Sequence, residues 1–115
     1  MLTYAETAKD YAAAVTAKQL PTAIADTITL SQTCAAEGKL PASGDAELDA
    51  AWHRFADGCV TGWNDITQAF QQRDKTLLAQ GRAALKAASD DYLVAGKRMI
   101  ALGQQALAGA TAPTG

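Results

Sequence analysis

The sequence predicts an all-α fold, an antiparallel three-helix bundle whose first helix is kinked or broken at Pro21, on three observations. Apolar residues recur in steps of three and four along most of the chain. No stretch sustains the apolar–polar alternation of a strand. The strong breakers are confined to Pro21, the Gly38 to Gly44 stretch and Pro113. A chain of 115 residues is the size of one domain. Residues 1–109 are expected to form the bundle, and 110–115, ending in Thr, Pro and Gly, a flexible tail.

The first segment runs from about Thr3 to Glu37. Tyr4, Ala8, Tyr11 and Val15 keep helical spacing, as do Ile24, Ile28, Ser31 and Ala35. Pro21 separates the two sets. It lacks an N–H and disfavours helical geometry at Leu20, so the segment is one kinked helix or two helices with Pro21 opening the second. Two helices here would make the chain a four-helix up-down bundle. Gly38 is expected to close the segment as a left-handed cap, with Gly38 to Gly44 as the loop.

The second segment starts near Asp45, where Ser43 or Asp45 can cap it and Asp45, Glu47 and Asp49 favour the helix start. Leu48, Trp52, Phe55, Cys59, Gly62 or Trp63, Ile66 and Ala69 or Phe70 form a heptad seam. Asp57-Gly58 is its weak point. The third segment runs from about Lys75 to Leu107, with Leu78, Gly81, Leu85, Ala88, Tyr92, Ala95, Met99, Leu102 and Ala106 on one seam. Leu93, Ile100 and Leu107 add a second stripe, giving a face wide enough for two neighbours. The seam changes phase across residues 71–76. A tight turn with Asp74 capping the third helix lets the two faces bury each other. Gly58 and Gly62, and likewise Gly96 and Gly103, are expected to let another backbone approach closely.

Few residues carry chemistry. Cys34 and Cys59 are the only cysteines. Cys34 lies about 5 Å before the end of the first segment and Cys59 about 21 Å into the second helix. A bridge therefore needs the second helix to start about 16 Å beyond the end of the first, within the roughly 23 Å that seven extended loop residues span. A Cys34–Cys59 disulfide is expected, because a small alanine-rich bundle gains from a staple. His53 is the only histidine and stands beside Trp52 on a helix, which excludes most triad chemistry. Asp49, His53 and Asp57 lie in successive i, i+4 steps, but three such side chains span about 12 Å and do not converge on one ion. Asp90 and Asp91 point about 100° apart on a helix and share no site. No catalytic residues, metal or cofactor are expected. Trp52, Phe55, Trp63 and Phe70 share one helix face as core residues, or as an aromatic strip that holds a partner.

Charge and hydropathy narrow the function classes. Net charge is −2 with scattered basic residues, the wrong footprint for nucleic acid. No apolar run reaches the roughly 18 residues needed to span a bilayer. The start, Met1 to Glu6, lacks the basic and apolar regions of a signal peptide, so an export signal is expected to lie outside this sequence. The reading that follows is a non-catalytic, extracytoplasmic, secreted or cell-surface module that binds another protein. In length, acidity and helical content the chain also resembles the small helical-hairpin substrates of type VII secretion. Gly62-Trp63 reverses the order of that family's Trp-x-Gly turn, and Gly96 stands four residues after Tyr92 where its signal has an acid. The resemblance implies a secreted hairpin acting as a homo- or heterodimer.

Counting thiols in the denatured protein, made in an oxidising compartment, should find none free. Reductant should lower its stability by about 3 kcal/mol, seen as a depressed melting temperature.

Overall fold

The computed structural model describes residues 3–111, and among these it has four helices and no strand: α1 (Tyr4–Thr16), α2 (Leu20–Glu37), α3 (Ala46–Gln72) and α4 (Lys75–Thr111). The first segment is thus two helices rather than one kinked helix, and the three-helix count gives way to four. The break falls before the proline. Lys18 adopts a left-handed φ of 58°, and the Gln19 N–H turns back to the Ala14 carbonyl at 2.8 Å. Pro21 then sits in the first turn of α2, where its missing donor leaves nothing unsatisfied. Thr3 caps α1 by accepting from the Glu6 N–H at 3.1 Å.

Helix α3 is the spine. Against α2 it runs antiparallel, tied by four rungs along the contact. The Thr27 and Thr67 hydroxyls meet at 2.8 Å, and Ser31 Oγ donates to Asn64 Oδ1 at 2.6 Å. Cys34 and Cys59 form a disulfide with Cα atoms 5.7 Å apart. Trp52 Nε1 donates to the Glu37 carbonyl at 2.8 Å. The cysteine rung places Glu37 opposite Ala56, so α3 starts about 15 Å beyond the end of α2, the stagger that the bridge demands. Helix α1 folds back along α2 and runs in the same direction as α3. Tyr4 lies beside Trp63, and Tyr11 beside both Trp63 and Phe70.

The α2–α3 loop departs from expectation at Gly38, whose φ of −69° is right-handed. Space is the requirement there, since a Cβ at Gly38 would stand 3.2 Å from the Ala56 Cβ. The glycine that needs a positive φ is Gly44, at 90°. Asp45 caps α3 through the Leu48 N–H at 2.9 Å. Helix α3 passes through Asp57-Gly58 without interruption.

The turn into α4 is the tight one expected, made without glycine: Arg73 takes φ 54° and Asp74 accepts from the Leu77 N–H at 3.0 Å. Helix α4 then returns antiparallel along α3. The two backbones come closest at Gly62 and Gly81. A Cβ on Gly81 would lie 2.8 Å from the Gly62 carbonyl oxygen and 2.7 Å from Ile66 Cγ1. Gly58 packs similarly over Ala88, whereas Gly96 and Gly103, expected to do the same, have nothing within 4 Å of a built Cβ. The core gathers Leu30, Cys34, Cys59, Trp63, Ile66 and Ala88 around α3.

The helices are unequal, at 13, 18, 27 and 37 residues rather than three of about 30. The molecule is consequently a rod of 66 × 25 × 21 Å with a radius of gyration of 17.7 Å. A compact domain of this length would have roughly 13 Å.

Gly81→Ala should destabilise the fold by about 1–3 kcal/mol despite its better helix propensity, because a carbonyl oxygen occupies the space. Gly96→Ala, facing open space, should stabilise it by about 0.5–1 kcal/mol. Urea midpoints of the two variants, taken at low protein concentration, check the contrast.

Candidate functional site

The aromatic strip of the sequence divides in two. Trp63 is buried beneath α1, with its Nε1 donating to the Tyr4 hydroxyl at 3.0 Å and its ring against the edge of Tyr11. Phe70 is half-buried beside the same tyrosine. Both are committed to the core. Trp52 and Phe55 are half-buried further along α3 and stack with each other at 5.1 Å. Tyr92 of α4 closes this second cluster, 5.1 Å from Phe55 and 6.2 Å from Trp52. The tyrosine itself is about half exposed. Cys34 and Cys59 are both buried and serve the α2–α3 staple.

The polar residues of the sequence reading do not converge. His53 is exposed on α3, Asp49 accepts from the Ser43 N–H and hydroxyl, and Asp91 pairs with Arg54 at 3.2 Å. Among the described residues no three His, Cys, Asp or Glu side chains cluster as metal ligands. The concavities are shallow and open. One between α2 and α3, about 380 Å³, is lined by Lys39, Asp57, Thr61 and small apolar residues. Another, about 360 Å³, is lined by amide and hydroxyl side chains between Ile28 and Gln71.

Three carboxylates have displaced titrations, and the bonds from the Ser43 N–H and hydroxyl lower that of Asp49. Asp26 on α2 has a buried Oδ2 without a hydrogen-bond donor, and desolvation, with the Asp10 carboxyl of α1 beside it, raises its pKa to about 6. At the start of α3 the Arg98 fork reaches both Asp45 oxygens, at 2.9 and 3.0 Å, and that bond holds the Asp45 pKa down to about 2. Glu47 adds a third contact to Arg98 at 3.4 Å. These contacts lock α4 against the first turn of α3.

Beyond that lock lies the most unusual surface of the molecule. Arg98 is level with the first residues of α3, so residues 99–111 of α4 extend roughly 20 Å past the hairpin. Along this end and just before it, Leu93, Ile100 and Leu107 are 61%, 64% and 67% exposed. Val94 and Met99 are nearly half exposed. Residues 99–111 contain no Asp, Glu, Lys, Arg or His. Large apolar residues scattered singly on a surface are ordinary, but a contiguous row of them marks an interaction site. The second stripe of the third segment signalled this face. Its expected neighbour is missing, because among the described residues α4 packs against α3 alone and α1 and α2 lie against other helices.

No family model, curated protein or solved structure matches this chain.

Stability should peak near pH 4. Asp26 has a raised folded pKa, so its contribution is complete below about pH 4 and is lost as pH rises through about 6. Asp45 has a lowered one, so its contribution is present above about pH 4 and fades toward pH 2. Melting curves across this range should show both limbs. Asp26→Asn should raise the melting temperature at pH 8 and remove the loss between pH 5 and 8.

Proposed function

We propose that this chain is a non-catalytic, extracytoplasmic helical-bundle module that binds another protein through the exposed apolar face of α4, with the Cys34–Cys59 disulfide holding the bundle behind it. The observation that carries the reading is the row Leu93, Ile100 and Leu107 on a helix that projects past its own hairpin. The aromatic cluster of Trp52, Phe55 and Tyr92 lies at the root of that face and supports it as the surviving half of the expected strip. Extracytoplasmic placement draws support from the disulfide, since such bonds persist in oxidising compartments. No helix among the described residues is long and apolar enough to cross a membrane.

A photoreactive amino acid placed at position 100 should give a discrete cross-linked adduct with protein in the native host. The same group at Gln80, exposed on the N-terminal half of α4, should not. Equal, diffuse labelling from both positions would remove the reading.

A further inference from the structure

The exposed face of α4 has a pattern that points to its occupant. Leu93, Gly96, Ile100, Gly103 and Leu107 follow one another in steps of three, four, three and four, a heptad seam in which Leu93 and Ile100 are each followed by a glycine. Within the chain this seam packs on nothing identifiable at its glycines, as no atom comes within 4 Å of a Cβ built on Gly96 or Gly103. It is also distinct from the face α4 turns toward α3. Ala88 and Ala95 are buried on that inner face, and Leu93 stands about 200° around the helix from Ala95, as Ile100 does from Leu102. Helix α4 therefore carries two seams whose centres lie about 100° apart around the helix, and α3 uses only one.

We propose that the outer seam pairs with the same seam of a second copy of this chain, antiparallel, across a two-fold axis. This rests on the interaction-module reading and names its partner. In an antiparallel pair, first-position residues of the heptad face fourth-position residues of the neighbour. Ile100 then meets Gly103 of the second copy and Leu107 meets its Gly96. The two-fold axis repeats each contact with the roles exchanged. Ile100 and Leu107 thus each fill the gap left by a glycine, which lets the backbones approach closely there. A parallel pair would set Ile100 on Ile100 and Gly103 on Gly103, alternating crowding with empty space.

Charge agrees with the antiparallel register. The flanks bring Lys97 beside Gln104 of the second copy and Met99 beside its Ala106, so no like charges oppose each other. An anionic membrane surface is the weaker occupant, because residues 99–111 lack the Lys and Arg that border the apolar face of interfacial helices. The two bundle bodies lie at opposite ends of the pair, each behind its own α4, and do not meet. The strip is about 21 Å long and one helix wide, below the roughly 1,200 Å² of a standard stable interface, so association is weak and concentration-dependent.

Sedimentation equilibrium on the disulfide-bonded protein from about 1 to about 500 µM tests the pairing. The wild type should pass from monomer to dimer in this range. Ile100→Lys, at an exposed position that leaves the fold intact, should weaken the dimer at least tenfold, whereas Ala87→Lys outside the seam should leave it unchanged. Gly103→Leu is the decisive variant. It adds apolar surface, so a merely sticky face would associate more tightly, but it fills the gap that Ile100 of the second copy needs and should weaken the dimer. A wild type monomeric throughout, a dimer indifferent to Ile100→Lys, or a dimer tightened by Gly103→Leu would each overturn the inference. A monomeric protein that still cross-links a different protein from position 100 would overturn the second copy and leave the interaction module standing. A monomer without adducts would remove both.

Discussion

The close approach of α3 and α4 at Gly62 and Gly81 sets the architecture. With no Cβ on either side, the carbonyl of one glycine comes where a side chain would otherwise stand, and neither helix can slide by a turn without driving Leu85 or Ile66 into backbone. That fixed register carries Arg98 to the Asp45 cap at the start of α3. It also dictates where α3 ends its cover of α4. Because α4 has 37 residues and α3 has 27, a register fixed near the turn leaves the excess at the far end. The exposed surface is thus a consequence of packing some 30 Å away, and its position is as firmly specified as the core.

The α2 side of α3 is organised differently. Buried positions there include Thr27, Ser31 and Thr67, with Ala23 and Cys34 beside the one large apolar residue of α2 that is fully buried, Leu30. Hydrogen bonds between helices supply what the thin core lacks in specificity. Each of the rungs Thr27–Thr67, Ser31–Asn64 and Trp52–Glu37 works only at one stagger. A neutral hydrogen bond contributes about 1 kcal/mol net, so none of them is a large stabiliser alone. The disulfide removes the alternative staggers from the unfolded chain as well. Stapling α2 in turn positions α1, whose Tyr4 and Tyr11 cover Trp63.

Much of this was legible in the sequence, and the parts that were not have physical reasons. The heptad seams, the Asp45 and Asp74 caps, the turn at residues 73–74 and the loop stagger imposed by Cys34 and Cys59 follow from local chemistry and simple lengths. The corner at Lys18 was not legible as a corner, because a left-handed lysine has no composition signal and Pro21 suits a kink as well as a helix start. Gly38 was read as a conformational glycine when it is a steric one, a distinction that depends on Ala56 across the interface. Trp52, Phe55, Trp63 and Phe70 do share a face of α3. Only tertiary structure shows that α1 covers half of it and α4 closes the other half with Tyr92. The stripe of Leu93, Ile100 and Leu107 was visible, but its meaning turned on α4 packing, among the described residues, against α3 alone.

The far end of α4 is also energetically exposed. Residues 99–111 amount to thirteen positions, and isolated helices shorter than about 12–15 residues are marginal in water even with alanine-rich sequences. Gly103 and Gly109 each weaken the stretch by roughly 1 kcal/mol relative to alanine. Selection for helix stability alone would not place a glycine at position 103, where no neighbour in the chain requires it. Nor would solubility keep Ile100 and Leu107 in water beside a stretch empty of charge. The two departures share one face and are reconciled by a surface that approaches closely enough to need the glycines and is apolar enough to bury the large residues. Covering that face offsets the intrinsic weakness of the helix, so binding and ordering of this end are coupled. The gain from burial is partly spent on holding thirteen residues helical, which keeps the association weak and reversible.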